Sequence, residues 1–251
     1  MYRDLVAKMR EQHQSTIVKP TVMPAIIDKT KRRSMEGMAP VSRDFIRLLV
    51  DKVDTVKYGH SVIGGLSPAE QQQRNKALIS LLYLSARRIS EIVGRTYKGF
   101  IYEGVKLKDF RLDTLEGREV LIMNCLILKK WRRKADEPKI MRRDVIIDME
   151  DSPFIEHIQA WREHQQESRK EKFMSITRSR AYQILQQIDQ RIVGPHWFRH
   201  MRLSHLAETL NPFQLNERIG FWERIDPAVA YVHGRVSDYL EACENARGIS
   251  P

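Results

Sequence analysis

The chain has 251 residues, 43 of them Lys or Arg against 32 Asp or Glu, giving a formal net charge of +11. A hydrophobic share of 42% excludes a disordered chain and supports one large core. The longest apolar run, ALISLLYLSA, is too short to span a bilayer, and the charged opening MYRDLVAKMR is unlike a signal peptide. The two cysteines, Cys125 and Cys243, make neither a disulfide framework nor a CxxC pair, which fits a reducing cytoplasm. So large a positive excess attracts polyanions. The basic residues are spread through folded-looking segments and no long amphipathic cationic helix occurs, which favours nucleic acid over a membrane surface.

Residues 1–39 mix prolines with the cluster Lys29, Lys31, Arg32 and Arg33 and read as a basic arm or linker. Ser42 caps a helix whose apolar side includes Phe45, Ile46, Leu49 and Val53. Ser67-Pro68-Ala69-Glu70 is a capping box that opens a long helical pattern ending at Gly94 and broken near Ser85-Ala86. EVLIMNCLILKK and RRDVIIDM, with the basic turn WRRKADEPK between them, predict a β-hairpin, and VKLKDFRL offers a third strand. Cys125 lies inside the first of these strands and reads as a buried thiol. Helix starts return at Ser152-Pro153, Ser179, Gly194-Pro195, Asn211-Pro212 and Asp226-Pro227. Helices, a small antiparallel sheet, then helices predict a mainly helical α+β domain.

Four segments carry candidate chemistry. In SARRISEIVG, Leu81, Leu82, Leu84, Ile89 and Ile92 fix a buried face, and one of Arg87 and Arg88 must lie near it. A guanidinium there needs a carboxylate or phosphate partner, although a structural Arg88–Glu91 pair explains the segment equally well. The hairpin turn gathers Lys129, Lys130, Arg132, Arg133, Lys134 and Lys139, which suits either a solvated tip or a DNA groove. GPHWFRHMRLSHLAE starts a helix at Gly194-Pro195 and sets His196 and Arg199 on one face with His200 alongside. Free N–H groups and the helix dipole favour an anion at such an end, and a histidine with an arginine there would grip a phosphate. His196 and His200 have a zinc-like spacing, but Trp197 stands where a metalloprotease motif places Glu, so no metal is expected. In IGFWERIDPAVAYVHG, Trp222 precedes a turn and Tyr231 follows on a short helix; packing alone would explain that tyrosine.

The order of these segments resembles the tyrosine recombinase (phage-type integrase) family over roughly residues 40–245. The family's G-L-R-I-S-E-L box matches Ala86-Arg87-Arg88-Ile89-Ser90-Glu91-Ile92, H-x-L-R-H matches His196-Trp197-Phe198-Arg199-His200, and RAYQILQQI resembles the preceding helix. Trp222 and Tyr231 keep the family's spacing of nine. Ala86 replaces a usual glycine, and Trp222 stands where histidine is commoner.

The resemblance implies a catalytic domain over 40–251, an α+β fold that is mainly helical with a three-stranded antiparallel sheet. It implies Arg88, Lys129, His196, Arg199, Trp222 and Tyr231 as catalytic residues, with Glu91 and His200 in support. Lys130 and Lys134 remain alternatives for the lysine. Lys130, Arg132, Arg133, Lys134, Arg178 and Arg180 are the expected DNA contacts. No cofactor or metal is implied; the partner is double-stranded DNA, on which four protomers assemble, with VSDYLEAC a candidate docking helix. Family members carry a separate helical domain ahead of the catalytic one, for which residues 1–39 leave little room. The expected activity is cutting and rejoining DNA through a 3′-phosphotyrosine. Alternatives are a type IB topoisomerase, a telomere resolvase, a non-cutting DNA-binding protein of the same fold, or a basic scaffold for an acidic protein.

Overall fold

The computed structural model describes residues 41–58, 65–97, 100–128, 141–221 and 225–229. All belong to one unit of the chain, Gly37–Pro251. Helix α1 (Arg43–Asp51) starts where Ser42 Oγ accepts the Phe45 N–H at 3.2 Å, and it buries Ile46, Leu49 and Val50. Phe45 is only half-buried, edge-on to Trp197. Helix α2 (Pro68–Ser85) opens on the capping box: Glu70 N–H donates to Ser67 Oγ at 3.3 Å and Ser67 N–H to Glu70 Oε2 at 2.6 Å. From Ala77 to Ala86 the chain is buried on every side, as the unbroken apolar run requires of a central helix. The pattern breaks at Ala86 and resumes as the short helix α3 (Ile89–Val93).

Two strands follow that the sequence reading does not anticipate, β1 (Arg95–Tyr97) and β2 (Phe100–Tyr102), paired antiparallel. Three residues each is too short for alternation to register. The predicted three-stranded sheet is present: β3 (Phe110–Leu115), β4 (Arg118–Leu126) and β5 (Arg142–Asp148) in that order, all antiparallel. The registers Phe110↔Met123↔Val145 and Leu112↔Leu121↔Ile147 define the core-facing side, and of these six residues only the edge residue Leu112 is exposed. Cys125 is fully buried and desolvation pushes its thiol up to about 12, so it packs and does not react.

The remaining helices are α4 (Phe154–Glu167), α5 (Arg178–Ile188), α6 (His196–Leu206), α7 (Pro212–Leu215) and α8 (Asp226–Val229), with a π-turn at Asn216–Gly220. Ser179 is not the cap of α5. Thr177 is, its Oγ1 accepting the Arg180 N–H at 3.1 Å, and Ser179 sits inside the first turn. Among the described residues no helix is long and apolar enough to cross a membrane.

Helix α6 is fixed by polar contacts on its outer end. Asp151 accepts from both Arg43 and Arg202, the latter at 3.0 Å. His205 Nε2 lies 2.6 Å from the Val41 carbonyl, which can only accept, so that nitrogen carries the proton. Its Nδ1 and the Tyr83 hydroxyl are hydrogen-bonded at 2.8 Å, tying α6 to α2.

Gly94 and Gly104 face each other at the base of the β1–β2 hairpin, with φ of +92° and +90°. A Cβ on Gly94 would stand 2.4 Å from the Tyr102 carbonyl oxygen, and one on Gly104 2.4 Å from that of Ile92. Gly117 also has positive φ, but a Cβ there would meet no atom within 4 Å. Gly94→Ala or Gly104→Ala is therefore expected to cost about 3 kcal/mol or more, and Gly117→Ala about 1 kcal/mol, in urea unfolding. Equal costs at all three positions would contradict the close approach.

Candidate active site

The site is built where α2 ends. Ala86 takes the left-handed conformation (φ 49°) and Arg88 is extended as the N-cap of α3, so the chain turns sharply and its two arginines diverge. Arg87 goes inward and is fully buried. Its Nε donates to the Ser85 carbonyl at 3.1 Å, its Nη2 to the Ile219 carbonyl, and its Cζ sits 4.8 Å from the Phe221 ring centroid. The expected carboxylate or phosphate partner for the inward arginine is thus replaced by helix-terminal carbonyls and an aromatic face. Nη1 has no partner among the described residues, and burial lowers the guanidinium's pKa.

Arg88 goes outward and keeps a quarter of its side chain exposed. Its Nη1 donates to Glu91 Oε1 at 3.1 Å and its backbone N–H to Glu91 Oε2 at 3.0 Å. Glu91 is fully buried, and Oε1 also accepts the Leu128 N–H at 3.2 Å. One carboxylate therefore orients the arginine, caps α3 and holds Leu128, two residues beyond β4 and just before Lys129.

Arg199 lies in the first turn of α6 and is 2% exposed. Its Nη1 donates to the Ala86 carbonyl at 2.5 Å and its Nη2 to the Gly220 carbonyl at 3.1 Å. The shared face of His196 and Arg199 has a structural cause that the sequence reading misses: Arg199 bolts α6 to two other chain segments. Beneath it, Ala86, Leu203, Leu215, Ile219 and Ala228 form an apolar cluster joined by Leu206, Leu210 and Ile225. That cluster seats α7, the π-turn and α8 against α6.

His196 and His200 stack edge to face with ring centroids 5.4 Å apart. His196 keeps an exposed edge, yet the protein around its ring displaces enough water to disfavour the charged form. That desolvation, then the positive charges of Arg199, His200 and Arg88, pushes its pKa down to about 4, with Glu91 acting weakly the other way. The Arg88–Glu91 pair, the Arg199 bond to the Ala86 carbonyl two residues before Arg88, and the His196–His200 ring contact in the same first turns of α6 gather these five side chains. His200 is lowered too, by burial first and Arg199 second. Among the described residues no group of three or more His, Cys, Asp or Glu could hold a metal ion.

Arg178 is exposed at the start of α5 and Arg180 is half-buried two residues on. Lys129, Lys130, Arg132, Arg133, Lys134, Trp222 and Tyr231 lie outside the described residues. Sequence reading missed Arg87 as the inward anchor; its only signal was a second arginine at the end of a fully apolar helix.

The fold has solved relatives. XerH site-specific recombinase bound to its difH substrate in a pre-cleavage complex superposes with a TM-score of 0.52 at 16% identity, covering 80% of this chain and 52% of XerH. Its post-cleavage complex on palindromic difH gives 0.53 at 16% identity, covering 82% and 52%. The chain thus spans about half the length of XerH. No protein-family model matches the sequence, and no curated protein matches it. The likeness establishes the fold: a mainly helical α+β architecture with a small antiparallel sheet, that of tyrosine recombinase catalytic domains.

Two expectations follow. Arg199→Lys, which cannot reach both carbonyls, should lose about 2–3 kcal/mol in urea unfolding without DNA, whereas Arg88→Lys should stay within about 1 kcal/mol. Similar losses would deny Arg199 its structural part. His196 binds a proton in the unfolded chain below its ordinary 6.5, but in the folded protein only near pH 4. Stability should therefore fall as pH drops through that window and be insensitive to this group above it. Urea midpoints measured from neutral pH to pH 4 should fall less for His196→Gln than for wild type, and parallel declines would remove His196 from the cationic field.

Proposed function

We propose that the chain cuts and rejoins double-stranded DNA as a site-specific recombinase or integrase, through a 3′-phosphotyrosine intermediate. The observation that carries this reading is the Arg88–Glu91–His196–Arg199–His200 cluster on a tyrosine recombinase catalytic fold. Its one carboxylate, Glu91, is occupied by three N–H donors, so the cluster stays net positive and suits an anion. The XerH structures are complexes with difH DNA before and after cleavage, which supports DNA as that anion.

In this reading the scissile phosphate docks on Arg88 and Arg199, where charge gathering on its non-bridging oxygens is met by guanidinium groups. The Tyr231 phenolic oxygen forms a bond to phosphorus as the bond to the 5′ oxygen breaks. A free phenol, with pKa about 10, is a poor nucleophile at neutral pH, and the cationic cluster favours its phenolate. His196 starts neutral; once the phosphate offsets the cations around it, its basicity rises and it can take the phenolic proton. Lys129 returns a proton to the departing 5′ oxygen, and Trp222 donates its indole N–H to a phosphate oxygen. Rejoining reverses these steps with a new 5′ hydroxyl and needs no further energy source, because the phosphotyrosine preserves the diester bond. Residues 1–39 serve as a basic arm or linker preceding the domain at 40–251 in sequence, and assembly as a tetramer on DNA completes the proposal.

The deciding experiment traps covalent adducts on nicked suicide duplexes. Wild type should yield a protein–DNA adduct, Tyr231→Phe none with binding intact, and Arg88→Ala on the order of 10²–10³ slower formation. Tight binding with no wild-type adduct would replace this reading with a DNA-binding protein that does not cut. Undiminished adduct from Tyr231→Phe would move the nucleophile elsewhere.

A further inference from the structure

Arg87 stands where the box of the resembled family has leucine. A leucine would fill the same buried space without dehydrating a charge, so what the guanidinium adds is directional contact. Its fork joins two segments. Nε donates to the Ser85 carbonyl at the end of α2 at 3.1 Å, and Nη2 donates to the Ile219 carbonyl at the end of the π-turn. The guanidinium carbon also lies 4.8 Å from the centroid of the half-buried Phe221 ring. Nη1 finds no partner among the described residues, so these three contacts define where the group sits.

Phe221 occupies a backbone conformation that suits glycine: its φ of 51° and ψ of 36° are left-handed. Its N–H closes the π-turn on the Asn216 carbonyl at 2.7 Å. The ring offsets part of that strain through the cation against its face, a contact glycine could not make. Relaxing φ into the right-handed region would send the next residue, Trp222, in another direction. Arg87 opposes that relaxation twice, at the carbonyl two residues before Phe221 and at the ring itself. The turn at Ala86 thus delivers an outward arginine for the cluster and an inward one that braces the backbone entering Trp222.

We propose that Arg87 and Phe221 form a latch that positions Trp222, which makes Arg87 a positioning residue for strand cleavage although it touches no substrate. This rests on the proposed function. Adduct formation on the nicked suicide duplex is timed in single turnover with protein saturating, and duplex binding is measured beside it. Arg87→Leu should slow the covalent step between about tenfold and about a hundredfold, with Kd within about twofold of wild type. Arg87→Lys, which keeps the charge but cannot bond both carbonyls, should lose less. Combined with Trp222→Phe, Arg87→Leu should add less than about a twofold loss, because the indole it positions is gone. Phe221→Leu, which removes only the ring, carries the same comparison where Arg87→Leu does not fold. The control Ile158→Val loosens the core on α4 and should keep the wild-type rate. A wild-type rate in Arg87→Leu and Phe221→Leu, a loss confined to Kd, or losses that multiply in the double variant would overturn the latch. If wild type forms no adduct, the reaction fails and amide hydrogen exchange decides the latch. Faster exchange at Asn216–Phe221 in Arg87→Leu, with α4 unchanged, retains it as a hold on this segment; equal exchange ends it.

Discussion

Two guanidinium groups buried against helix-terminal carbonyls hold this domain together where its candidate chemistry lies. Arg87 reaches the Ile219 carbonyl and Arg199 reaches those of Ala86 and Gly220. Ala86 ends α2, and Ile219 and Gly220 end the π-turn. The last carbonyls of a helix lack intrahelical partners and carry the negative end of its dipole, so they attract cations even out of water. Each charge-assisted bond of this kind contributes about 1.5–3 kcal/mol. Three segments far apart in sequence meet because two arginines satisfy the ends of both helical pieces at once.

The choice of partner has an electrical consequence. A carboxylate would cancel the charge it pairs with; a carbonyl dipole only stabilises it. The cluster therefore keeps its positive potential while its members stay fixed, and at His196 that potential adds to the larger effect of desolvation in lowering the pKa. Arg74 follows the same rule with the amide oxygen of Asn75. Within the cluster only Arg88 has a carboxylate, Glu91; elsewhere carboxylates pair with two cations each: Arg43 and Arg202 share Asp151, and Lys52 and Arg191 share Asp189, whose carboxyl is held far below its usual range chiefly by Arg191. Arg87 and Arg199 are thus held by carbonyls without being neutralised, whereas Arg88 shares its charge with Glu91.

What could be read from the chain was local. Ser42, the Ser67–Glu70 box and Asn211 announce their helices because capping acts within three residues, and the box at Asn211 closes with Gln214 at 3.0 Å. The hairpin of β4 and β5 was legible because aliphatic runs on either side of a polar turn need no distant information. The arginine box was legible as a motif, and Arg88 with Glu91 is indeed a pair. Its inward neighbour was not, because the Ile219 carbonyl that Arg87 finds is 132 residues away and a backbone oxygen has no sequence signature. The same holds for Arg199 and Ala86, 113 residues apart. Thr177 rather than Ser179 capping α5 is a smaller failure of the same kind, since both residues can cap and tertiary packing chooses.

Ala86 joins these threads. An alanine in the left-handed region gives up about 1–2 kcal/mol relative to a relaxed residue, which is why glycine suits such a bend. Here its methyl is fully buried among Leu203, Leu215 and Ile219, and burying one methyl returns about 0.8 kcal/mol that glycine could not supply. The substitution is therefore more than an exchange of small residues: strain in the turn is traded for adhesion of the segment that leads to Trp222. The turn also decides which arginine is which. One residue after Ala86 points into the protein and the next points out, so parity alone makes Arg87 the anchor and Arg88 the exposed cation. A bend one residue earlier or later would bury the arginine that Glu91 orients and expose the one that carries the Ile219 carbonyl. The candidate site and the scaffold beneath it are two consequences of one backbone conformation.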